Sequence, residues 1–200
     1  MNKKNLPNIL TISRMIAFIP FLIFMLVFSF SKPAYSVKSN LYWALTLALV
    51  IFISAMITDF LDGFLARKYN VVSNFGKLFD PIADKVMTAT AMVFLAYFGW
   101  IEIWIVVLFI ARDIIVDGSR NLAAKSNREV AASIWGKIKT MIQSIVLILM
   151  MLVLPLVEGN AFVIVYWLFN TLMIVALGFS LYSGFLYVYA IKDLIKFKHE

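Results

Sequence analysis

Four long stretches of the chain carry no charge, residues 15–31, 41–58, 141–157 and 161–191, and a fifth, 86–111, is broken only by Glu102. Each is apolar all round a helical projection rather than along one stripe, which is the pattern of a helix surrounded by apolar material on every side. A membrane-spanning helix needs about 20 mostly apolar residues, and the first two stretches reach that length with their flanks. Within the fifth, Phe98-Gly99-Trp100 offers a turn, so two helices over 81–98 and 101–119 are predicted, with Glu102 at the surface between them. A fifth helix is predicted over 141–157, then a second tight turn at Pro155, Glu158, Gly159 and Asn160, then a sixth helix over 161–191. That last run exceeds a bilayer's thickness, so tilt or an interfacial extension near Gly184 is expected. Ahead of the first span, Asn5-Leu6-Pro7-Asn8 opens a short interfacial helix, with Ile9, Ile12 and Met15 on its apolar side and Arg14 reaching the head groups. The expected fold is therefore all-α, one polytopic membrane domain across residues 1–200. It consists of an interfacial segment (1–14), a six-helix transmembrane bundle (15–191) and a basic tail (192–200).

Composition agrees, since a chain with 63% hydrophobic and 14% charged residues is no ordinary water-soluble globule. The net charge of +7 would suggest nucleic acid in a soluble protein, but its distribution excludes that reading here. Of the 18 Lys and Arg residues, all but Lys32 and Lys38 fall on one side of the predicted spans. Under the positive-inside rule that side is cytoplasmic, as are both termini. Such a face suits anionic lipid head groups and phosphorylated substrates. There is no cysteine and the single histidine is His199, which excludes disulfides, iron–sulfur ligation and a Cys nucleophile and disfavours zinc. Residues 1–14 lack a small-residue cleavage pattern and lead into a full span, so the segment is expected to be retained. No internal repeat is visible, which counts against the repeat-built transporter folds.

One window breaks the apolar monotony. Asp59, Asp62, Gly63, Ala66, Arg67, Gly76, Asp80 and Asp84 spell D-x2-D-G-x2-A-R-x8-G-x3-D-x3-D. At background residue frequencies this pattern arises by chance on the order of 10⁻¹⁰ times per starting point, so its chemistry was selected. Asp59 and Asp62 are spaced to share one face of a helix end. Pro81 suits the first position of the third helix, which makes Asp80 its expected N-cap and puts Asp84 one turn deeper. Gly63, Ala66 and Gly76 allow close backbone approach, and Arg67 offers a planar fork to a phosphate. A rim of salt bridges to Arg67, Lys68, Lys77 and Lys85 would account for any one aspartate, but gives no reason for small residues at fixed offsets. Four crowded carboxylates at a low-dielectric edge repel one another, and two divalent ions of the hard class would neutralise them. A second set of cations, Arg112, Arg120, Lys137 and Lys139, lies at cytoplasmic helix ends. It is spaced for a separate phosphate pocket, although each member alone also reads as a snorkelling anchor.

The eight-residue pattern resembles, without a mismatch, the signature of the CDP-alcohol phosphotransferase family. The fragments Asn5-Leu6-Pro7-Asn8, Phe79-Asp80-Pro81-Ile82-Ala83-Asp84-Lys85 and Gly136-Lys137-Ile138-Lys139-Thr140 resemble the branch whose acceptor is glycerol 3-phosphate. The resemblance implies that Asp59, Asp62, Asp80 and Asp84 hold two divalent cations, Mg²⁺ or Mn²⁺, with Asp84 the general base. It places the CDP moiety against Asn8, Asp62, Gly63, Ala66, Arg67 and Gly76, and the acceptor's phosphate against Arg112, Arg120, Lys137 and Lys139. It further implies CDP-diacylglycerol as donor, release of CMP, a homodimer, and a site facing the cytoplasm from the bacterial cytoplasmic membrane. One departure is Ala111-Arg112-Asp113, with Asp where relatives often carry Glu, and Asp117 adds a further acid nearby. Two alternatives stay open: the same chemistry on phosphatidylglycerol, serine or an inositol phosphate, and an ion or metal transporter using the aspartates as its pathway.

Overall fold

The computed structural model describes residues 6–31, 35–69, 74–125 and 134–192, with side chains described outside 6–11, 61–69, 74–81, 83–84 and 124–125. Among these residues the regular elements are helices: α1 (Leu6–Ser29), α2 (Tyr42–Tyr69), α3 (Asn74–Tyr97), α4 (Ile103–Lys125), α5 (Ile134–Val153), a 3-10 turn over Leu154–Leu156, and α6 (Gly159–Ala190). Four of these, α1, α2, α5 with its 3-10 turn, and α6, are long and apolar enough to cross a membrane. In α3 the apolar stretch shortens to Lys85–Tyr97. The run in α4 is cut by Arg112, Asp113, Asp117 and Arg120. At 32 residues α6 is about 48 Å long against a hydrocarbon core of about 30 Å, so the predicted excess length is present.

Buried positions recur at helical spacing and fix how the helices meet. On α1 they are Phe21, Met25 and Phe28; on α2, Leu45, Ala48 and Phe52; on α3, Met87, Ala91 and Leu95; on α5, Leu147, Met150 and Met151; on α6, Met173, Ala176 and Leu177. Helix α1 packs on α2 and α3, α6 packs on α4 and α5, and α2 and α3 meet α5 between the two groups. The outward faces carry fully apolar residues such as Ile16, Ile19, Phe60, Ile114 and Ile164, which water would not tolerate over so wide a belt and lipid would.

The end formed by the α1–α2, α3–α4 and α5–α6 connections is closed by aromatic rings and backbone bonds. Gly99 adopts φ 75° and ends α3, with Trp100 N–H donating to the Leu95 carbonyl at 2.8 Å and Gly99 N–H to Ala96 at 3.0 Å. Phe98 meets Phe28, Tyr35 and Trp100 at centroid separations of 5.1, 4.6 and 5.3 Å. Asn170 of α6, fully buried, donates to the Trp100 carbonyl and accepts from Glu102 N–H, and Tyr166 O–H donates to the Glu102 carboxylate at 2.6 Å. Val37 N–H donates to Pro155 at 2.9 Å, and Lys38 reaches Glu158 at 2.8 Å. The Lys38 ammonium holds the Glu158 carboxyl below its ordinary pKa.

Three expectations are corrected. Residues from Leu6 onward run into the first span as one helix, so no separate interfacial helix breaks α1 among the described residues. No helix breaker separates Ile9 from Met15, and the helix continues even through Pro20. Arg14 does not reach for head groups: it is 2% exposed and turns inward. Helix α3 starts at Asn74 rather than Pro81, which makes Asp80 an interior residue instead of an N-cap. A proline removes one backbone bond, whereas Phe75, Leu78, Phe79 and Ile82 keep helical spacing across it. The basic tail beyond Lys192 lies outside the described residues.

Candidate functional site

Opposite the aromatic end, the polar residues of all six helices gather. The first half of the motif, Asp59 to Arg67, lies wholly within the final turns of α2. Gly76, Asp80 and Asp84 lie in the first half of α3, which packs on α2. Helical continuity keeps Asp59 with Asp62, and Asp80 with Asp84, one turn apart on their own helices. Of the eight motif side chains, Asp59 is the one within the described set; those of Asp62, Gly63, Ala66, Arg67, Gly76, Asp80 and Asp84, and of Asn8, lie outside it. Among the described residues no three acidic, His or Cys side chains converge.

Asp59 meets α1. Its Oδ1 accepts a hydrogen bond from Arg14 Nη1 at 2.6 Å, while the guanidinium side chain is fully buried and the carboxylate is 42% exposed. The pair spans 45 residues of sequence and sits where α1 and α2 pack. Lys85, directly after Asp84, pairs with Asp117 of α4 and so ties the middle of α3 to the second half of α4.

The second basic group is assembled on α4, α5 and α6. Arg112 uses its whole fork: Nε donates to the Ser180 carbonyl at 2.8 Å, Nη2 to Ser183 Oγ at 2.8 Å, and Nη1 to Asp113 Oδ1 at 2.8 Å. Lys139, buried on α5, donates to both Asp113 oxygens at 3.1 Å and lies 5.3 Å from the Phe109 ring centroid. One carboxylate thus faces two cations, Arg112 and Lys139. Gly184 makes room for Arg112, because a Cβ there would sit 3.3 Å from its Cγ and Nε. Arg120, two turns beyond Arg112, donates to Tyr187 O–H at 2.9 Å and stacks its guanidinium 4.7 Å from that ring's centroid. Of the four predicted phosphate-binding cations, Arg112 and Lys139 converge on Asp113 and Arg120 shares the α6 face. Lys137 is exposed, half a helical turn away from buried Lys139.

Sequence reasoning missed Arg14, the role of Asp113 as a common acceptor, and the α6 partners Ser180, Ser183, Gly184 and Tyr187. For Arg14 a signal existed: Arg14 immediately precedes the apolar run 15–31 and Asp59 immediately follows 41–58, so antiparallel packing puts both at one depth. For the α6 residues nothing local marks them, since they lie some 67–71 positions from their partners.

The carboxylate of Asp59 offers oxygen donors of the kind hard cations take. Asp59 spends one oxygen on Arg14, and among the described residues its other oxygen has no bonded partner and belongs to a partly exposed carboxylate. Residues 4–182 match the family profile described as CDP-alcohol phosphatidyltransferase. Proteins named CDP-diacylglycerol–glycerol-3-phosphate 3-phosphatidyltransferase are similar to the chain along most of its length. The one from Mycoplasma pneumoniae is 37% identical, over 98% of this chain and 91% of its own. The one from Bacillus subtilis is 36% identical, over 92% and 93%. The one from Pectobacterium atrosepticum is 39% identical, over 72% and 74%.

Proposed function

The chain belongs to the CDP-alcohol phosphatidyltransferase family, and from that premise we propose that it transfers the phosphatidyl group of CDP-diacylglycerol to glycerol 3-phosphate, giving phosphatidylglycerophosphate and CMP. The observation that carries the reading is similarity over nearly the whole chain to relatives named for this reaction, with the complete aspartate motif on two packed helices.

In this reading Asp59, Asp62, Asp80 and Asp84 hold two divalent cations, Mg²⁺ or Mn²⁺. Bound there, the cations would offset charge on the phosphoryl oxygens of an in-line displacement. The chain's own residues do the rest. Gly63, Ala66 and Gly76 let the CDP group lie close to the backbone, and Arg67 and Asn8 supply donors to it. The acceptor hydroxyl oxygen forms a bond to the lipid-bearing phosphorus, the bond from that phosphorus to the CMP oxygen breaks, and the hydroxyl proton passes to Asp84. Arg112, Arg120, Lys137 and Lys139 orient the acceptor through its own phosphate. A phosphate arriving beside Arg112 and Lys139 competes with Asp113 for both cations, so Asp113 keeps them charged-paired and in place until then.

All six helices cross the bilayer in this reading, α3 and α4 with their charged halves at the cytoplasmic surface, and the protein acts as a homodimer in the cytoplasmic membrane. The test of acceptor choice is product identification by mass spectrometry. Purified protein receives CDP-diacylglycerol with glycerol 3-phosphate, phosphatidylglycerol, serine or an inositol phosphate. Phosphatidylglycerophosphate as the one product is expected, and a product formed only with another alcohol overturns the assignment.

A further inference from the structure

Resting on the reading of Asp59 as a cation ligand, we infer that Arg14 is a positioning residue for that cation, fixing one carboxylate oxygen so that the other is presented to the metal. Three observations combine. The Arg14 side chain is fully buried although it belongs to the most strongly hydrated class of residue, and burying it is costly unless a carboxylate answers it. Between Arg14 and Asp59 the bond goes to Oδ1, at 2.6 Å, a charge-assisted bond that sets the carboxylate's rotation about its χ angles. Asp59 itself remains 42% exposed, so the opposite oxygen is open to a ligand.

The geometry divides the carboxylate between two cations of different kinds. A bidentate salt bridge would engage both oxygens, whereas the bond from Arg14 to Asp59 engages Oδ1 and leaves the second oxygen clear of it. Because Arg14 comes from α1 and Asp59 from α2, the arrangement also makes the ligand's aim depend on how α1 seats against α2. Partners that hydrogen-bond a ligating carboxylate orient it, and loss of such a partner typically weakens metal affinity about 10- to 100-fold.

The experiment measures Mn²⁺ binding by electron paramagnetic resonance on detergent-purified full-length protein, without substrate, alongside the KM for glycerol 3-phosphate. Arg14→Gln is expected to weaken Mn²⁺ binding about 10-fold or more while leaving the KM for glycerol 3-phosphate within about twofold. Arg14→Lys, which keeps the charge but loses the planar fork, is expected to fall between. A folded Arg14→Gln protein with wild-type Mn²⁺ affinity overturns the inference, since a pair that only ties two helices together has no reason to change metal binding. Should Arg14→Gln not fold, Arg14→Lys decides: wild-type affinity overturns the inference and weakened affinity supports it. Absence of Mn²⁺ binding by the wild-type protein overturns the metal reading itself, and this inference with it.

Discussion

Arg112 and Lys137 were indistinguishable as cations at helix ends, yet the structure gives them different surroundings, and their variants should separate accordingly. Arg112 is bound three ways inside the bundle, so Arg112→Ala removes its bonds to Ser180, Ser183 and Asp113 and leaves Asp113, among the described residues, with Lys139. Thermal unfolding in detergent should show a loss of about 3 kcal/mol or more, as for a broken buried pair. Lys137 is exposed, and Lys137→Ala should stay within about 0.5 kcal/mol of the parent. Both should raise the KM for glycerol 3-phosphate more than that for CDP-diacylglycerol; equal effects on both substrates would argue against a separate acceptor pocket. Asp59→Asn and Asp80→Asn should each abolish turnover in a folded protein, and near-normal activity in either would remove the two-cation assignment.

At the scale of helices, α6 is more than an anchor. Its Ser180, Ser183 and Tyr187 hold Arg112 and Arg120, and Gly184 leaves the space Arg112 needs. Gly184→Val should push Arg112 aside and raise the KM for glycerol 3-phosphate several-fold with little change for the lipid donor, a split that steady-state kinetics would reveal. Turns and helices were readable in the sequence because local rules govern them: Gly99 takes the positive φ that its place after α3 requires, and uncharged runs mark the helices. The start of α3 was misread because proline's preference for a first turn is weaker than the apolar spacing that continues on both sides of Pro81. The aspartate motif stood out in the sequence because its spacing is local, whereas the α6 partners of Arg112 arise only when distant helices pack.

Taken whole, the molecule is polarised, with aromatic rings and backbone bonds at one end and charge at the other. The natural chain lacks cysteine, so single-cysteine labelling can test the orientation without background. A membrane-impermeant maleimide applied to intact cells should modify Asn40→Cys and Asn160→Cys, at exposed positions of the aromatic end, and spare Asn121→Cys near the end of α4. The reverse pattern would invert the proposed topology. The central claim, cation-dependent phosphatidyl transfer to glycerol 3-phosphate, is tested most directly by CMP release. Purified protein is given CDP-diacylglycerol with and without glycerol 3-phosphate, in Mg²⁺, Mn²⁺ or EDTA. Release that requires both glycerol 3-phosphate and a divalent cation is the predicted result. Undiminished release in EDTA, or no release with any acceptor, would contradict it.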